Sequence, residues 1–204
     1  DCAVMILGDV SGKGIEAASM SALVKTALTA YAWEGAGPAR MARSLNSMLM
    51  GFSRVETFVT AFIAKIDLKA GRATYCSAGH PPTMVIRPSS TPLGGTEARG
   101  GEVELLGCQS GVIGAFESMV YETGAFTFAP GDMLFMYTDG TIEARDCSGA
   151  FFGEQRLRDL LLSVSGEGVS GICGKVLGEL DRFTESALDD DIALVSLEFL
   201  RGRS

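Results

Sequence analysis

Acidic residues at the ends of apolar strands are the residues of this sequence whose type and spacing favour chemistry. Asp9 follows the apolar run AVMILG, Asp139 follows MLFMYT, and Asp189, Asp190 and Asp191 precede IALVSLEF. One such aspartate is ordinarily a turn or capping residue. If three such sites converge at one end of a pair of sheets, their carboxylates repel each other unless cations lie among them. The pattern therefore favours a site for Mg²⁺ or Mn²⁺ over three unrelated turn aspartates.

The glycine-rich stretch GDVSGKG, residues 8–14, suggests a different function, phosphate binding by a P-loop. That motif needs a glycine at position 7 and a hydroxyl residue at position 14, where this sequence has Leu7 and Gly14. A P-loop nucleotide hydrolase is therefore the weakest hypothesis. What remains is Asp9 at the point where a strand gives way to a flexible turn. That placement suits a metal ligand as well as it suits a cap for the following helix.

The elements that position these aspartates follow an order of one strand, two helices, many strands, two helices and one strand. Apolar residues at helical spacing predict helices over 14–34, 38–50, 151–164 and 168–185. This order favours an α+β fold, a four-layer αββα sandwich with two antiparallel β-sheets flanked by helix pairs. The predicted strands are the opening CAVMILG, ETFVTAFIAKIDL, RATYCSAG, MVIR, EVELL, SGVIGAF, MVYETGAFTF, MLFMYT and the final DIALVSLEFL, with a loop over 88–101.

Composition excludes several classes of protein. The 204 residues are 47% hydrophobic, which suits a chain with a sizeable core, and the net charge of −8 argues against nucleic acid and anionic membranes as partners. No apolar stretch is long enough to span a bilayer, so we expect no direct membrane insertion. The five scattered cysteines and the single histidine, His80, argue against zinc and for a reduced, cytoplasmic protein.

Several motifs in order resemble a known family. GDVSGKG, LNSML, ETFVTAFIAKID, SAGHPP, APGDMLFMYTDGTIEAR, FFGEQRL and DDDIALV resemble the bacterial phosphoserine phosphatases of the stage II sporulation protein E type, within the type-2C metal-dependent protein phosphatases. The resemblance covers residues 2–199 and implies the same αββα sandwich. It also implies hydrolysis of phosphoserine or phosphothreonine on a regulatory protein, such as an anti-sigma-factor antagonist. A water shared by two Mn²⁺ or Mg²⁺ ions would be the nucleophile.

The resemblance also implies roles for individual residues. Asp9 would be the bridging ligand, and the carbonyl of Val10 would complete one metal site. Asp139 and Asp190 would bind the other metal and, with Asp9, would act in catalysis through the metal-bound water. Asp191 is the second choice for the ligand that we assign to Asp190.

Two further residues have weaker assignments. Lys13 lies where many relatives have histidine, and it is a candidate for binding the substrate phosphate; the alternative is an exposed turn lysine. His80 lies within the SAGHPP motif, where it either supports the site or has a structural role in a turn.

The resemblance has one departure that affects the predicted domain. Relatives carry an earlier acidic ligand in a glycine-glycine-aspartate stretch, and this sequence begins too late to include it. We therefore expect residues 1–204 to form a single phosphatase-like domain, N-terminally truncated relative to the family. The alternative is a degenerate phosphatase-fold binding or regulatory module that lacks full metal occupancy. An upstream sensor domain and a dimer are both left open.

Overall fold

The computed structural model describes residues 2–52, 57–88, 101–185 and 191–200. The chain divides into two compact units, which we call the first unit (residues 1–82 and 107–127) and the second unit (residues 83–106 and 128–204). Each unit contains one β-sheet and a pair of longer helices. Among the described residues, no helix combines the length and the apolar character needed to cross a membrane.

The first unit is built on a sheet with the strand order β1-β2-β3-β6, in which β7 also pairs with β3. β1 and β2 are antiparallel from Cys2 opposite Asp67 to Val10 opposite Val59. The elements are β1 (Cys2–Val10), α1 (Ile15–Trp33), α2 (Pro38–Met50), β2 (Val59–Asp67), β3 (Arg72–Ala78), β6 (Gln109–Ser110) and β7 (Gly124–Thr127).

The core of the first unit lies on one face of this sheet. Alternation along β2 directs Val59, Ala61 and Ile63 to the same face, where they are fully buried. Leu45 and Leu49, four residues apart on α2, supply one apolar stripe of the same cluster. Each fully buried aliphatic side chain contributes about 1.5–3 kcal/mol, so the α2 face fixes where the sheet lies beneath it.

The second unit has an antiparallel sheet with the strand order β5-β4-β8-β9. Its central strand β8 is buried along its whole length, and Tyr137 at its end is opposite Leu194 of β9. The apolar stripes of α4 and α5 share a core with β8 through Leu161 and Val176. The elements are β4 (Met84–Arg87), β5 (Glu102–Leu105), β8 (Met133–Tyr137), α3 (Gly140–Glu143), α4 (Glu154–Val164), α5 (Val169–Phe183) and β9 (Leu194–Glu198).

The predicted α+β class, with two sheets and their helix pairs, is confirmed. The antiparallel pairing has one exception, since β6 runs parallel to β3 over two residue pairs. β6 does not return from β3 through a hairpin, so its direction is not constrained to be antiparallel. The strand predicted over SGVIGAF does not form as one element, because only Ser110 belongs to a strand, β6, and Ile113 forms an isolated bridge. Most of the predicted loop, residues 89–100, lies outside the described residues, and the single domain stays a prediction.

Candidate functional site

Asp9 lies one residue before the end of β1, opposite Thr60 of β2, and its side chain is exposed. Helix α1 begins after Gly14, and no side chain forms a capping hydrogen bond at this end. Asp9 therefore does not cap α1. This result removes the capping alternative that the sequence left open for the GDVSGKG stretch.

The backbone beyond Asp9 is fixed by Ser11. The Ser11 N–H donates to the Phe58 carbonyl at 2.9 Å, and the Phe58 N–H donates to Ser11 Oγ at 2.9 Å. Val59 uses its own N–H and C=O to bond Ile113, both at 2.8 Å. The Val10–Val59 pair is therefore a non-hydrogen-bonded pair, so the Val10 carbonyl points away from β2. A carbonyl in that orientation is suited to bind a ligand.

The turn that follows depends on its glycines. Gly12 has a φ of 105° and Gly14 a φ of 84°, a region that side-chain-bearing residues rarely adopt. This backbone presents Lys13, which is exposed and forms no ion pair within the described part of the chain. Lys13 directly precedes Gly14, the N-cap of α1, and a positive charge and a helix N-terminus both favour an anion.

A buried histidine supports the strand opposite Asp9. His80 is 2% exposed, and its Nδ1 atom lies 3.2 Å from Oγ1 of Thr60. The turn that carries His80 is held by Ser77, whose hydroxyl donates to the His80 carbonyl at 3.2 Å. Gly79 has a φ of 65°, and a Cβ there would lie 2.3 Å from Val112. The turn therefore places the imidazole against β2 with little freedom.

Asp139 directly follows β8 in the second unit. It is the N-cap of the short helix α3, and its Oδ1 accepts a hydrogen bond from the Gly140 N–H at 3.0 Å. Capping uses one lone pair of one oxygen, so the second oxygen retains its acceptor capacity. The ordinary role of a strand-end aspartate and the role of a ligand are therefore compatible at this position.

Thr138 joins the segment that carries Asp191 to the strand that carries Asp139. Thr138 Oγ1 accepts from the Ala193 N–H at 2.9 Å and donates to the Asp191 carbonyl at 3.4 Å. The backbone continues the β8–β9 ladder, since the Thr138 N–H donates to the Ala193 carbonyl at 3.1 Å. Asp139 and Asp191 therefore lie at the same edge of the second unit's sheet. Asp189 and Asp190, the latter being the preferred ligand, lie outside the described residues.

The donor chemistry fits a hard divalent cation. Carboxylate and carbonyl oxygens are the ligands that Mg²⁺ and Mn²⁺ prefer, and Asp9, Val10, Asp139 and Asp191 offer only these. Within the described ranges, however, no group of three or more His, Cys, Asp or Glu side chains could hold a metal ion. Asp9 and Val10 in the first unit, and Asp139 and Asp191 in the second, are therefore candidate oxygen donors.

Cysteine chemistry does not contribute to this site. All five cysteines are free thiols, and Cys76 is fully buried in the first unit's core. Burial raises the pKa of Cys76 to about 11, so its thiol stays protonated and unreactive near neutral pH.

Comparison with known proteins decides the family. The family model for stage II sporulation protein E (SpoIIE) matches residues 1–200. The chain belongs to the SpoIIE family. A relative, phosphoserine phosphatase RsbU of Bacillus subtilis, is 25% identical over 191 residues, which cover 94% of this chain and 54% of RsbU. The chain thus spans only about half the length of this relative.

Solved structures agree on the fold of this SpoIIE-family chain. The SiaA PP2C domain of Pseudomonas aeruginosa superposes with a TM-score of 0.79 at 20% identity, covering 96% of this chain and 75% of that one. RsbX in complex with magnesium has a TM-score of 0.65 at 21% identity, covering 96% and 80% of the two chains. These likenesses establish the PP2C fold for the chain.

The sequence prediction missed the residues that hold the aspartates in place. Ser11 and Thr138 lie beside Asp9 and Asp139 within GDVSG and YTDG, so their hydroxyls were visible but had no evident partners. Thr60 could be found only from the strand register, which the sequence does not show. A further buried polar residue, Asn46 in the LNSML motif, is 2% exposed and holds the 112–121 segment.

Proposed function

We propose that this SpoIIE-family chain is a metal-dependent protein serine/threonine phosphatase. Its substrate would be phosphoserine on a regulatory protein of the anti-sigma-factor-antagonist type. Family membership over residues 1–200 and the name of the relative RsbU support this proposal. The structural observation that carries it is the hydrogen bonding of Thr138, which gathers Asp139 and Asp191 at one sheet edge.

The proposal assigns cation ligands in each unit. Asp9 and the carbonyl of Val10 are the ligands in the first unit, and Asp139 with Asp190, or with Asp191, are those in the second. Two divalent cations, Mn²⁺ or Mg²⁺, would lower the pKa of water and offset charge on the phosphoryl group. The RsbX structure in complex with magnesium supports this choice of ion.

The chain's own residues orient these ligands and bind the phosphate. Ser11 holds the backbone two residues after Asp9, and Thr138 holds the strand end directly before Asp139. Because these hydroxyls already hold the backbone near the ligands, less conformational freedom is lost when a cation binds. Lys13 would contact the phosphate as a mobile point charge at the start of α1.

A Mn²⁺-dependent assay with a phosphoserine peptide tests the proposal. We expect Asp9→Asn and Asp139→Asn each to lower kcat/KM by at least about a hundredfold, since each removes a charged ligand. The matched control is Asp181→Asn, which changes an exposed carboxylate on α5 and should retain activity. Retained activity in both Asn variants would overturn the assignment.

A second candidate is a regulatory module that binds a partner without hydrolysis. Among the described residues, no group of three or more His, Cys, Asp or Glu side chains could hold a metal ion, and the preferred ligand Asp190 lies outside these residues. Isothermal titration with Mn²⁺ separates the two candidates. A protein that binds a phosphoserine peptide, binds no Mn²⁺ and releases no phosphate is such a module.

A further inference from the structure

Three large apolar side chains are exposed in neighbouring segments of the first unit. The exposed fractions are 43% for Phe58, 63% for Phe116 and 69% for Val120. Single exposed apolar residues are common and need no explanation, whereas grouped ones mark interaction sites. We call Phe58, Phe116 and Val120 together the aromatic surface.

Hydrogen bonds show that these segments are adjacent. The two bonds between Val59 and Ile113 place the start of β2 beside the 113–116 segment. Gly114 fits closely there, since a Cβ would lie 3.2 Å from the Thr57 carbonyl. Phe58 and Phe116 are therefore carried by backbone segments that lie side by side.

A buried asparagine holds this segment with its apolar side chains outward. Oδ1 of Asn46 accepts from the Gly114 N–H at 2.7 Å and from the Tyr121 hydroxyl at 3.1 Å. Its Nδ2 donates to the Phe116 carbonyl at 3.0 Å. The backbone of Phe116 is thus held from inside, while its ring is exposed to solvent. A fixed backbone lowers the ordering cost when a partner binds, because only the ring then has to be immobilised.

Phe58, one member of the aromatic surface, adjoins the turn that follows Asp9. The Ser11 N–H donates to the Phe58 carbonyl, and the Phe58 N–H donates to the Ser11 hydroxyl. These two bonds place Ser11 opposite Phe58, directly beyond the last pair of the β1–β2 ladder. Because side chains alternate along a strand, Phe58 lies on the same face as Thr60 and Asp9. A peptide with its phosphate at the Asp9 turn would thus place the neighbouring residues over Phe58.

Charge limits what kind of peptide fits. Lys13 in the turn forms no ion pair with described residues, so it is available to a phosphate. The chain as a whole carries a net charge of −8, which repels acidic peptides. The three side chains of the aromatic surface offer apolar area, and the exposed Glu117 directly follows Phe116 in the chain.

We infer that the aromatic surface binds large apolar residues that flank the phosphoserine of the protein substrate. This inference rests on the proposed function for the identity of the reaction. It adds that substrate selection depends on apolar contacts to Phe58, Phe116 and Val120. Leucine or isoleucine beside the phosphoserine is favoured over glycine and over charged residues.

Fluorescence anisotropy with three labelled peptides tests the inference. Each peptide carries the non-hydrolysable phosphonate analogue of phosphoserine, flanked on both sides by leucine, by glycine or by arginine, and Mn²⁺ is present. We expect the wild-type protein to bind the leucine-flanked peptide about tenfold more tightly than the glycine-flanked one, which corresponds to about 1.4 kcal/mol. The double variant Phe58→Ser/Phe116→Ser should bind the two equally.

Trp33→Ser is the matched control. Trp33 is 88% exposed at the far end of α1, and that helix of 19 residues is about 28 Å long. Its removal should leave the tenfold preference unchanged. Val120→Ser is a milder change at the aromatic surface and should reduce the preference for the leucine-flanked peptide about threefold. It keeps the test valid if the double variant misfolds, which circular dichroism would reveal.

The experiment distinguishes failure of this inference from failure of the proposed phosphatase function. Equal binding of the leucine and glycine peptides, tightest binding of the arginine peptide, or a preference that survives in both surface variants would each overturn the inference. Hydrolysis of the corresponding phosphoserine peptides is measured separately. A leucine preference without hydrolysis would retain the aromatic surface and reject the phosphatase.

Discussion

Nδ1 of His80 lies 3.2 Å from the hydroxyl oxygen of Thr60, the residue opposite Asp9 in the β1–β2 ladder. The imidazole is almost fully buried, and the turn that carries it is closed by the Gly79 N–H, which donates to the Ser110 carbonyl at 2.8 Å. His80 therefore supports the strand beside Asp9 rather than the reacting groups themselves. This relationship favours the supporting role over a purely local role in the turn.

Thr60→Val should separate positioning from stability. The variant keeps the β-branched shape and removes the bond to His80, so we expect the Kd for Mn²⁺ to rise about tenfold through Asp9. Unfolding free energy should fall by about 1–3 kcal/mol because a buried partner is lost. Thr60→Ser should restore both. An unchanged Kd for Mn²⁺ alongside lowered stability would limit the contact to a structural role.

Thr138→Val removes a different support, in the second unit. The hydroxyl of Thr138 bonds the Ala193 N–H and the Asp191 carbonyl, so its loss frees the segment beside Asp139. We expect the Kd for Mn²⁺ to rise about 10–100-fold, measured by isothermal titration. Thr138→Ser retains the hydroxyl and is the rescue variant. If Thr138→Val binds Mn²⁺ as the wild type does, Asp191 and its segment do not take part in cation binding.

Local patterns predicted the elements well because their causes are local. The apolar spacing of α2 predicted a helix over 38–50, and the structure has Pro38–Met50. Strand ends next to Asp9 and Asp139 were visible in the same way, from apolar runs that stop at an acidic residue. Periodicity and turn residues depend on neighbours in the chain, so a single sequence contains them.

The supports of the site depend on residues distant in sequence. Asn46 bonds partners 68, 70 and 75 residues away, and these bonds replace the strand predicted over SGVIGAF with a held loop. Nothing near Asn46 in the sequence indicates those partners. The same holds for His80 and Thr60, whose contact follows from the register of two strands and a turn.

Asn46→Ala should destabilise the first unit. The change leaves the Gly114 N–H, the Phe116 carbonyl and the Tyr121 hydroxyl without this partner in the interior, and we expect a loss of about 2–4 kcal/mol in unfolding free energy. Urea denaturation measures it. Ser47→Ala on the neighbouring exposed position should stay within about 0.5 kcal/mol. Equal effects of the two variants would show that the Asn46 bonds do not hold the segment.

Stability at alkaline pH should depend on Tyr121. Burial raises the pKa of Tyr121 to about 12, whereas the ordinary value in an unfolded chain is about 10. Between these values the unfolded chain loses this proton while the folded chain keeps it, so stability is fully present below pH 10 and is lost as the pH rises towards 12. Screening by solvent keeps the loss from this group well below the full value of about 1.4 kcal/mol for each pKa unit.

Tyr121→Phe and Tyr137→Phe provide the test of that dependence, with urea denaturation at pH 7 and at pH 11. Tyr121 donates to Asn46 and Val112, so its loss should cost about 1–2 kcal/mol at pH 7 but flatten the decline at pH 11. The Tyr137 hydroxyl is buried with no hydrogen-bond partner in the described part of the chain, so its removal should be neutral or stabilising at pH 7. Burial also raises the pKa of Tyr137, so this variant too should decline less at pH 11. The unfolding free energy of Tyr121→Phe could instead fall as steeply between pH 7 and pH 11 as that of the wild type. This result would show that the Tyr121 hydroxyl ionises equally in the folded and unfolded states, so that its bond to Asn46 does not protect it.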